Sequence, residues 1–257
     1  MKILKNAVYR LIYWIIKLLY PPIKLVGLEN LPEEPCVIVG NHAQMNGPIA
    51  GQLYFPGKRY IWCAHEMMFM KEVPSYAYRD FWSRKPKVLQ PLYKLLSYII
   101  APLSVCVFNC ADTIAVYRDK RVILTLRETV EKLRDGANVI IFPEHDAPHN
   151  HVLCDFQDGF VSVAKSYYSQ TGKALAFVPM YLAPKLREMV LGEPVYFDPE
   201  APGKEERRRI TGKLMDAITE IAVSLPRHKM VPYLNISKKD YPYNIPEEVT
   251  THEKTSC

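Results

Sequence analysis

The sequence predicts an α/β fold, with a mixed, mostly parallel sheet flanked by helices and an amphipathic N-terminal helix in front of it. Short runs of apolar, mostly β-branched residues alternate along the chain with longer stretches whose apolar residues recur at helical spacing. This alternation is typical of sheets that helices cover on both faces. The chain has 257 residues, of which 49% are hydrophobic, and this suits one domain with a full core.

Six apolar runs are predicted to be strands. They are residues 36–40, 60–64, 105–108, 114–117, 138–142 and 174–180. Helical patterns follow over residues 121–134, closed by Gly136, and over residues 210–225. Ligand sites in such sheets gather at the carboxyl ends of strands. Polar residues that directly follow a strand are therefore the first candidates for function.

Three segments are predicted along the chain. They are an amphipathic helix over residues 1–24, one domain over residues 25–236 and a polar tail over residues 237–257. No repeat, low-complexity run or Gly/Ser linker divides the middle segment.

The N-terminal helix carries a polar stripe opposite an apolar one. The polar stripe holds Asn6, Arg10, Tyr13, Lys17, Tyr20 and Lys24, and the apolar side holds Val8, Leu11, Ile12, Ile15, Leu18 and Leu19. The helix is too short and too charged to span a bilayer. Charges also interrupt its apolar stretch, which argues against a cleaved signal peptide. A basic helix with Trp14 and several tyrosines is typical of one lying in a membrane interface, and packing on the domain is the alternative.

The net charge of +6 favours anionic partners. Nucleic acid is not expected, because the basic residues are scattered and their densest run, residues 207–209, follows Glu205 and Glu206 on a predicted helix. A membrane phospholipid surface is the expected partner. The six cysteines lack the CxxC spacing of zinc or redox sites, and several lie in apolar runs, where a free cysteine packs as a small hydrophobe. We therefore expect a reducing compartment and, with the membrane as partner, a peripheral location on the cytoplasmic face of a membrane.

The stretch from Val88 to Phe108 is nearly all apolar, with Lys94 as its one charge. Two functional interpretations are a groove that binds a long apolar chain and a segment that dips into the membrane. Burial in the core is the alternative.

Three predicted strand ends carry recognisable motifs, and three more motifs lie downstream. They are Asn41-His42-Ala43-Gln44-Met45-Asn46-Gly47, Ile114-Ala115-Val116-Tyr117-Arg118 and Phe142-Pro143-Glu144-His145, followed by Phe156-Gln157-Asp158-Gly159, Val178-Pro179-Met180 and Leu191-Gly192-Glu193-Pro194. In order and spacing they resemble the NHxxxxD, arginine-strand, FPEG and downstream motifs of the lysophosphatidic-acid and glycerol-3-phosphate acyltransferase family. The resemblance covers residues 26–225 and implies that family's fold.

The resemblance also implies an activity, the transfer of a fatty acyl group to a hydroxyl of a lysophospholipid-like or other lipid acceptor. The donor would be acyl-CoA or acyl-carrier protein as co-substrate, with no further cofactor. His42 is then the general base, a task that suits the pKa of histidine. Arg118 would clamp a phosphate or pyrophosphate, and Glu144 would orient acceptor hydroxyls or hold its loop. Asn41 and Gly159 complete the expected substrate-binding set.

Each of these residues also has a structural interpretation. The structural alternatives are a core histidine bonded to the backbone for His42, a surface salt bridge for Arg118 and the start of a turn for Glu144.

One departure from the motif concerns the orienting carboxylate. The family has aspartate five residues after the histidine, and this chain has Gly47 there. Loss of an orienting carboxylate costs about 10⁴ in turnover in serine proteases. Asn46 and Asp146 are the candidate replacements in the catalytic set, Asn46 as an orienting amide and Asp146 as a carboxylate. The alternative is a catalytically impaired member of the fold that binds lipid or acyl chains.

The loop after Glu144 is unusually rich in potential metal ligands. These are Glu144, His145, Asp146, His149, His151, Cys154 and Asp155. Their spacing matches no standard metal site, so we expect a hydrated loop and no metal.

Overall fold

The computed structural model of the chain describes residues 2–83 and 86–246. The strands are β1 (Lys24–Val26), β2 (Val37–Gly40), β3 (Arg59–Ala64), β4 (Thr113–Val116), β5 (Asn138–Ile141), β6 (Glu144–Pro148), β7 (Cys154–Phe156), β8 (Ala176–Ala183), β9 (Glu188–Leu191) and β10 (Val195–Tyr196). The helices are α1 (Lys2–Leu19), α2 (Asn46–Tyr54), α3 (Val73–Ala77), α4 (Gln90–Cys110), α5 (Val122–Arg134), α6 (Ser162–Thr171) and α7 (Gly203–Ser224).

The main sheet has the order β1-β9-β8-β2-β5-β3-β4, with β10 beside β8. β2 pairs in parallel with β5 and β8, and β3 with β4 and β5, while β9 and β10 run antiparallel to β8. β6 and β7 form a separate antiparallel hairpin. The prediction of a mixed, mostly parallel sheet flanked by helices is confirmed. Five of the six predicted strands are also confirmed, within two to three residues at their ends.

The central strands are buried on both faces because their apolar residues are continuous. On β5, Val139 and Ile141 lie in one core cluster with residues of α5, α6 and α7, while Ile140 lies in a second cluster with residues of α2. Continuous apolar runs of this kind are typical of parallel strands. Strands β2, β3, β4, β5 and β8 run parallel to one another, so their carboxyl ends lie at one common edge of the sheet.

The prediction of a strand over residues 105–108 is wrong, because these residues belong to α4. A short apolar run does not distinguish a strand from a helix by its periodicity. The helix is selected by small residues spaced along one side: Ser97, Ala101 and Ser104 are buried, and the Ser104 hydroxyl donates to the Met67 carbonyl at 2.9 Å. The core interpretation of this stretch therefore holds for one side of α4 only.

The segment that follows α7 packs back onto the domain. Tyr241 is buried, and Asn244 is fully buried, with its side-chain amide donating to the Ala222 carbonyl at 2.8 Å. Residues 237–246 thus include core contacts that the polar composition of the tail did not suggest. Residues 247–257 lie outside the described residues, and the three segment boundaries stay predictions.

Candidate active site

The candidate site lies at the common carboxyl edge of the parallel strands. His42 follows β2 by two residues, Glu144 follows β5 by three, and Arg118 follows β4 by two. Strands β2, β5, β3 and β4 are neighbours in that order. The topology therefore brings together loops that are far apart in the sequence.

The loop after β2 turns sharply back on itself. Ala43 and Gln44 have φ angles of 45° and 55°, a left-handed conformation that is uncommon for residues other than glycine. The Gly47 amide donates to the His42 carbonyl at 3.0 Å and starts the turn into α2. This path brings the Gln44 carbonyl to the His42 ring, where it accepts a hydrogen bond from Nδ1. A neutral ring with its proton on Nδ1 carries the free lone pair on Nε2.

The His42 ring contacts two aromatic side chains. Its centroid lies 5.4 Å from that of Phe142 and 5.7 Å from that of Tyr233, both edge-to-face. Burial lowers the pKa of His42 below its ordinary value, while the Gln44 carbonyl and the charge of Asp80 act in the opposite direction. The structure therefore favours the neutral imidazole, the form that accepts a proton.

Asn41 is a structural residue in this arrangement. Its buried side chain accepts from the Leu182 amide at 2.7 Å and donates to the Leu182 carbonyl at 3.1 Å. These two bonds tie the end of β2 to β8. The amide predicted to bind substrate is thus engaged with the backbone.

Glu144 holds the His42 loop. Its carboxylate accepts from the His42 amide at 2.6 Å and from the Cys154 amide at 3.2 Å, so both oxygens are engaged. Burial raises the pKa of Glu144 to about 7, although both hydrogen bonds lower it. Of the two predicted roles, this geometry supports the one that holds the loop.

Charged residues act on the ionisable groups near His42. Arg118 is exposed, and its guanidinium lowers the pKa of Asp80 and Tyr233, whereas Asp146, also exposed, raises both. Burial is the largest influence on both groups and raises their pKa values. Arg118 and Asp146 thus lie near Asp80, which in turn acts on His42.

Asn46 and Gly47 occupy the start of α2. The Asn46 side chain donates to the Ala43 carbonyl at 2.8 Å and accepts from the Tyr20 hydroxyl at 3.0 Å, so these bonds anchor the loop to the end of α1. A Cβ added at Gly47 would lie 2.6 Å from the His42 carbonyl oxygen and 2.8 Å from the Phe142 ring. Glycine is therefore required here by space.

Gly159 lies on an exposed turn before α6. A Cβ there would meet no atom within 4 Å, so packing does not explain the glycine. The neighbouring Gln157 amide donates to the Pro143 carbonyl at 3.0 Å, which places the turn beside the Glu144 loop.

A second strand-end histidine, His65, is a weaker candidate for the base. It is buried, and its Nδ1 lies 3.1 Å from the Val116 carbonyl oxygen. Its Nε2 lies 3.2 Å from a Glu72 carboxylate oxygen. Both ring nitrogens therefore have protein partners, unlike a base that must reach a substrate.

The histidine-rich loop forms the β6–β7 hairpin. His145 Nε2 lies 3.4 Å from the Asp155 carboxylate, and His151 Nε2 lies 2.9 Å from the Asn244 carbonyl oxygen. Among residues 2–83 and 86–246, no group of three or more His, Cys, Asp or Glu side chains is arranged to hold a metal ion.

An apolar surface lies on α1 and α4, two helices that contact each other. Their exposed apolar and aromatic residues are Val8, Leu11, Trp14, Ile15, Leu18 and Leu19 on α1 and Leu92, Leu95, Tyr98, Ile99 and Leu103 on α4. Tyr9 and Tyr20 face the domain instead, where they contact Gln52 and Asn46. In the described part of the chain, Lys87–Cys110 is the one stretch long and apolar enough to cross a membrane, judged by length and composition alone.

Sequence reasoning missed three parts of the site. They are Asp80, the main-chain carbonyl of Gln44, and the segment around Tyr233. Asp80 and Tyr233 carry no motif and lie far from His42 in sequence. Every residue type has a main-chain carbonyl, so the identity of residue 44 could not have indicated this contact.

Comparisons with known proteins give one family match. The model of the family described as Acyltransferase matches residues 22–183, which include both the His42 and the Glu144 loops. No curated protein matches the sequence. Among solved structures, the chain is similar to the crystal structure of the 1-acyl-sn-glycerophosphate (LPA) acyltransferase, PlsC, from Thermotoga maritima. The two are 17% identical with a TM-score of 0.46, over 84% of this chain and 78% of that chain.

Proposed function

Since this chain belongs to the acyltransferase family, we propose that it transfers a fatty acyl group from acyl-CoA or acyl-carrier protein to a hydroxyl of a lipid acceptor, with His42 as the general base. The observation that carries this proposal is the ring of His42 at the carboxyl edge of the sheet, with Nδ1 bonded to the Gln44 carbonyl. That bond leaves Nε2 as the nitrogen able to accept a proton.

The reaction follows from this ring state. His42 Nε2 takes the proton of the acceptor hydroxyl as the oxygen attacks the thioester carbonyl carbon. The tetrahedral intermediate then collapses, the carbon–sulfur bond breaks, and the thiolate takes the proton from Nε2. A base placed in this way contributes roughly 10²–10⁴-fold.

Arg118 is the proposed anion clamp. It is exposed at the end of β4 and acts on the pKa values of Asp80 and Tyr233 beside His42. A guanidinium binds phosphate oxygens bidentately. This suits a phosphate of the acceptor or the pyrophosphate of acyl-CoA.

The membrane is the proposed source of the acceptor. The large exposed side chains of α1 and α4 are mostly apolar, and the basic residues Arg10, Lys17 and Lys94 are exposed on the same helices. Apolar helices with basic borders bind anionic lipid surfaces. One side of α4 packs on the domain through Ser97 and Ala101, which supports a helix lying along the interface.

We place the protein on the cytoplasmic face, where acyl-CoA and carrier protein are available. No disulfide joins the cysteines that the structure describes, in keeping with a reducing compartment.

The test is acyl transfer by purified full-length protein from a panel of acyl-CoA and acyl-carrier-protein donors to lysophospholipid and other lipid acceptors. His42→Ala should lower the rate by roughly 10²–10⁴-fold. His149→Ala, an exposed histidine of the hairpin, is the matched control and should stay at the wild-type rate. Because the pKa of His42 is lowered, the acidic limb of the wild-type kcat/KM profile should fall below pH 6.5, the ordinary histidine pKa. Full activity of His42→Ala would contradict the catalytic assignment.

Asp146→Asn in the same assay tests the predicted carboxylate. The substitution removes the charge with little change of size, so it should lower kcat if Asp146 stabilises the imidazolium. An unchanged kcat would mean that another group stabilises the imidazolium. Asp80 is the next candidate, because its charge raises the pKa of His42.

The alternative function, lipid or acyl binding without catalysis, is favoured by one observation, the glycine at position 47. If wild-type protein transfers no acyl group from any donor, the binding function is the better account. Lipid mass spectrometry of cells with and without the protein is an independent test: a missing acylated lipid would name the acceptor of an enzyme, and an unchanged lipidome would favour the binding function.

A further inference from the structure

We propose that the main-chain carbonyl of Gln44 takes the orienting role of the missing aspartate, and that the C-terminal strap, residues 226–246, holds that carbonyl in place. The inference rests on the proposed function, since it assigns the element that orients the base. It makes Gln44 and the strap positioning elements rather than catalytic ones.

A carbonyl oxygen can supply the tautomer that catalysis requires. In the serine-protease template, an amide in place of the orienting carboxylate leaves the geometry intact but fixes the wrong tautomer, and turnover falls by about 10⁴. A side-chain amide can donate as well as accept, whereas a carbonyl only accepts. Its bond with His42 Nδ1 therefore keeps the proton on Nδ1 and the lone pair on Nε2.

The space around Gly47 excludes the usual solution. A Cβ there would collide with the His42 carbonyl oxygen at 2.6 Å and with the Phe142 ring at 2.8 Å. The left-handed turn at Ala43 and Gln44 brings a different acceptor to the ring. Glycine at 47 and the turn are thus two parts of one arrangement.

The strap is hydrogen-bonded to the Gln44 side chain, which belongs to the left-handed turn. Gln44 Nε2 donates to the Leu234 carbonyl at 3.4 Å, and the Tyr241 hydroxyl donates to Gln44 Oε1 at 3.3 Å. Tyr233, on the same strap, packs edge-to-face on His42. A non-glycine residue with positive φ costs of order 1–3 kcal/mol and persists only where its surroundings hold it, and these contacts are such surroundings.

The strap is itself fixed to the domain. Asn244 accepts from the His228 amide at 2.8 Å and donates to the Ala222 and Leu225 carbonyls at 2.8 and 3.1 Å. The His228 ring lies 3.0 Å from the Tyr181 hydroxyl of β8. These bonds hold the strap against the domain, where it contacts Gln44.

A matched pair of substitutions at Gln44 tests the carbonyl. Gln44→Gly and Gln44→Val both remove the side-chain amide, but glycine adopts positive φ freely while a β-branched residue is strongly disfavoured there. If the carbonyl orients the ring, kcat of Gln44→Gly should exceed that of Gln44→Val by at least about 10-fold, with little change in KM. Equal kcat values would overturn the proposal.

The ring state is measured directly by ¹⁵N NMR of the histidine side chains in the full-length protein, with His42→Ala identifying the His42 signals. We expect wild type to carry its proton on Nδ1, and Tyr241→Phe to shift the signals toward the Nε2-protonated form. Tyr243→Phe is the control on the same strap, since its ring packs under the Arg227 guanidinium at 3.7 Å. A wild-type proton on Nε2 would overturn the inference.

The spectroscopic result separates this inference from the proposed function. An Nδ1-protonated His42 in a protein without acyl transfer would end the proposed function and leave the orientation standing. Acyl transfer by a protein with an Nε2-protonated His42 would do the reverse. Because the wild-type spectrum and Tyr241→Phe do not depend on Gln44→Val, the test survives if that variant fails to fold.

Discussion

Gly47 stands at the position where the family motif has its aspartate, and its surroundings explain why a side chain is absent. The His42 carbonyl and the Phe142 ring leave no room for a Cβ, and the φ angle of Gly47 is not in the left-handed region. Glycine is thus required at position 47 because the His42 loop packs too closely against it for a side chain, and not because of its backbone conformation.

Restoring the aspartate should therefore harm the protein. We expect Gly47→Asp to lower the free energy of unfolding by about 1–3 kcal/mol, the usual cost of overpacking, and to lower acyl transfer as the His42 loop shifts. Gly47→Ala is the matched control, because it adds the same Cβ without a charge. Urea denaturation and the acyl-transfer assay measure both effects, and a gain of activity in Gly47→Asp would contradict the packing argument.

At the scale of elements, α4 and the β6–β7 hairpin differ most from what their composition suggests. α4 is long and strongly apolar, yet large residues along it such as Leu95 and Ile99 are 57% and 61% exposed. The hairpin gathers histidines and carboxylates but pairs them with each other and with the backbone.

The exposed side of α4 should carry much of the membrane affinity. Apolar area removed from water contributes about 25 cal/mol per Å², so the double substitution Leu95→Glu with Ile99→Glu should move the protein from vesicles to the soluble fraction. Vesicles of zwitterionic and anionic phospholipid in a flotation assay measure the shift. Val223→Glu, at an exposed position of α7, is the control. Deleting α1 (Lys2–Leu19), which leaves β1 intact, should have a similar effect. Unchanged flotation of both variants would rule out the proposed surface.

The hairpin should carry no stoichiometric metal. His145 and His151 already have protein partners, so a metal would have to displace these bonds. Elemental analysis of dialysed protein checks this expectation, and retention of about one zinc per chain, lost in His145→Ala, would refute it.

For the whole molecule, Glu144 links the candidate site to stability because it joins two loops through backbone amides. Burial raises its pKa to about 7 from 4.5, so the folded state binds this proton more tightly than the unfolded state. The stabilisation is complete below the unfolded pKa and is lost as the pH rises through the folded one.

The free energy of unfolding should accordingly fall between pH 4.5 and pH 7 by up to about 3 kcal/mol from this carboxyl. Glu144→Gln mimics the protonated carboxyl and should remove this part of the dependence in urea denaturation. Glu206→Gln is the control of opposite sign, because Arg209 lowers the pKa of the buried Glu206, and its contribution is lost as the pH falls. If wild type and Glu144→Gln keep the same slope, Glu144 does not titrate in this range.

Local pattern was sufficient for five strands of the main sheet (β2, β3, β4, β5 and β8), the closing helix and the positions of the motif residues. Continuous apolar runs indicate burial on both faces, and parallel strands place the residues that follow them at one edge. This reasoning placed His42, Glu144 and Arg118 at that edge. It failed at residues 105–108, because four apolar residues fit a helix as well as a strand.

Only the tertiary structure shows three further features: the acceptor for His42 Nδ1, the contacts of Asp80 and Tyr233, and the exposed side of α4. A main-chain carbonyl leaves no trace in residue type, and its direction depends on two φ angles. Tyr241 and Gln44 are 197 positions apart, and no local periodicity reports a contact across that distance. The burial of a helix depends on which elements pack against it. An apolar helix that contacts the domain along one side therefore remains exposed along the other.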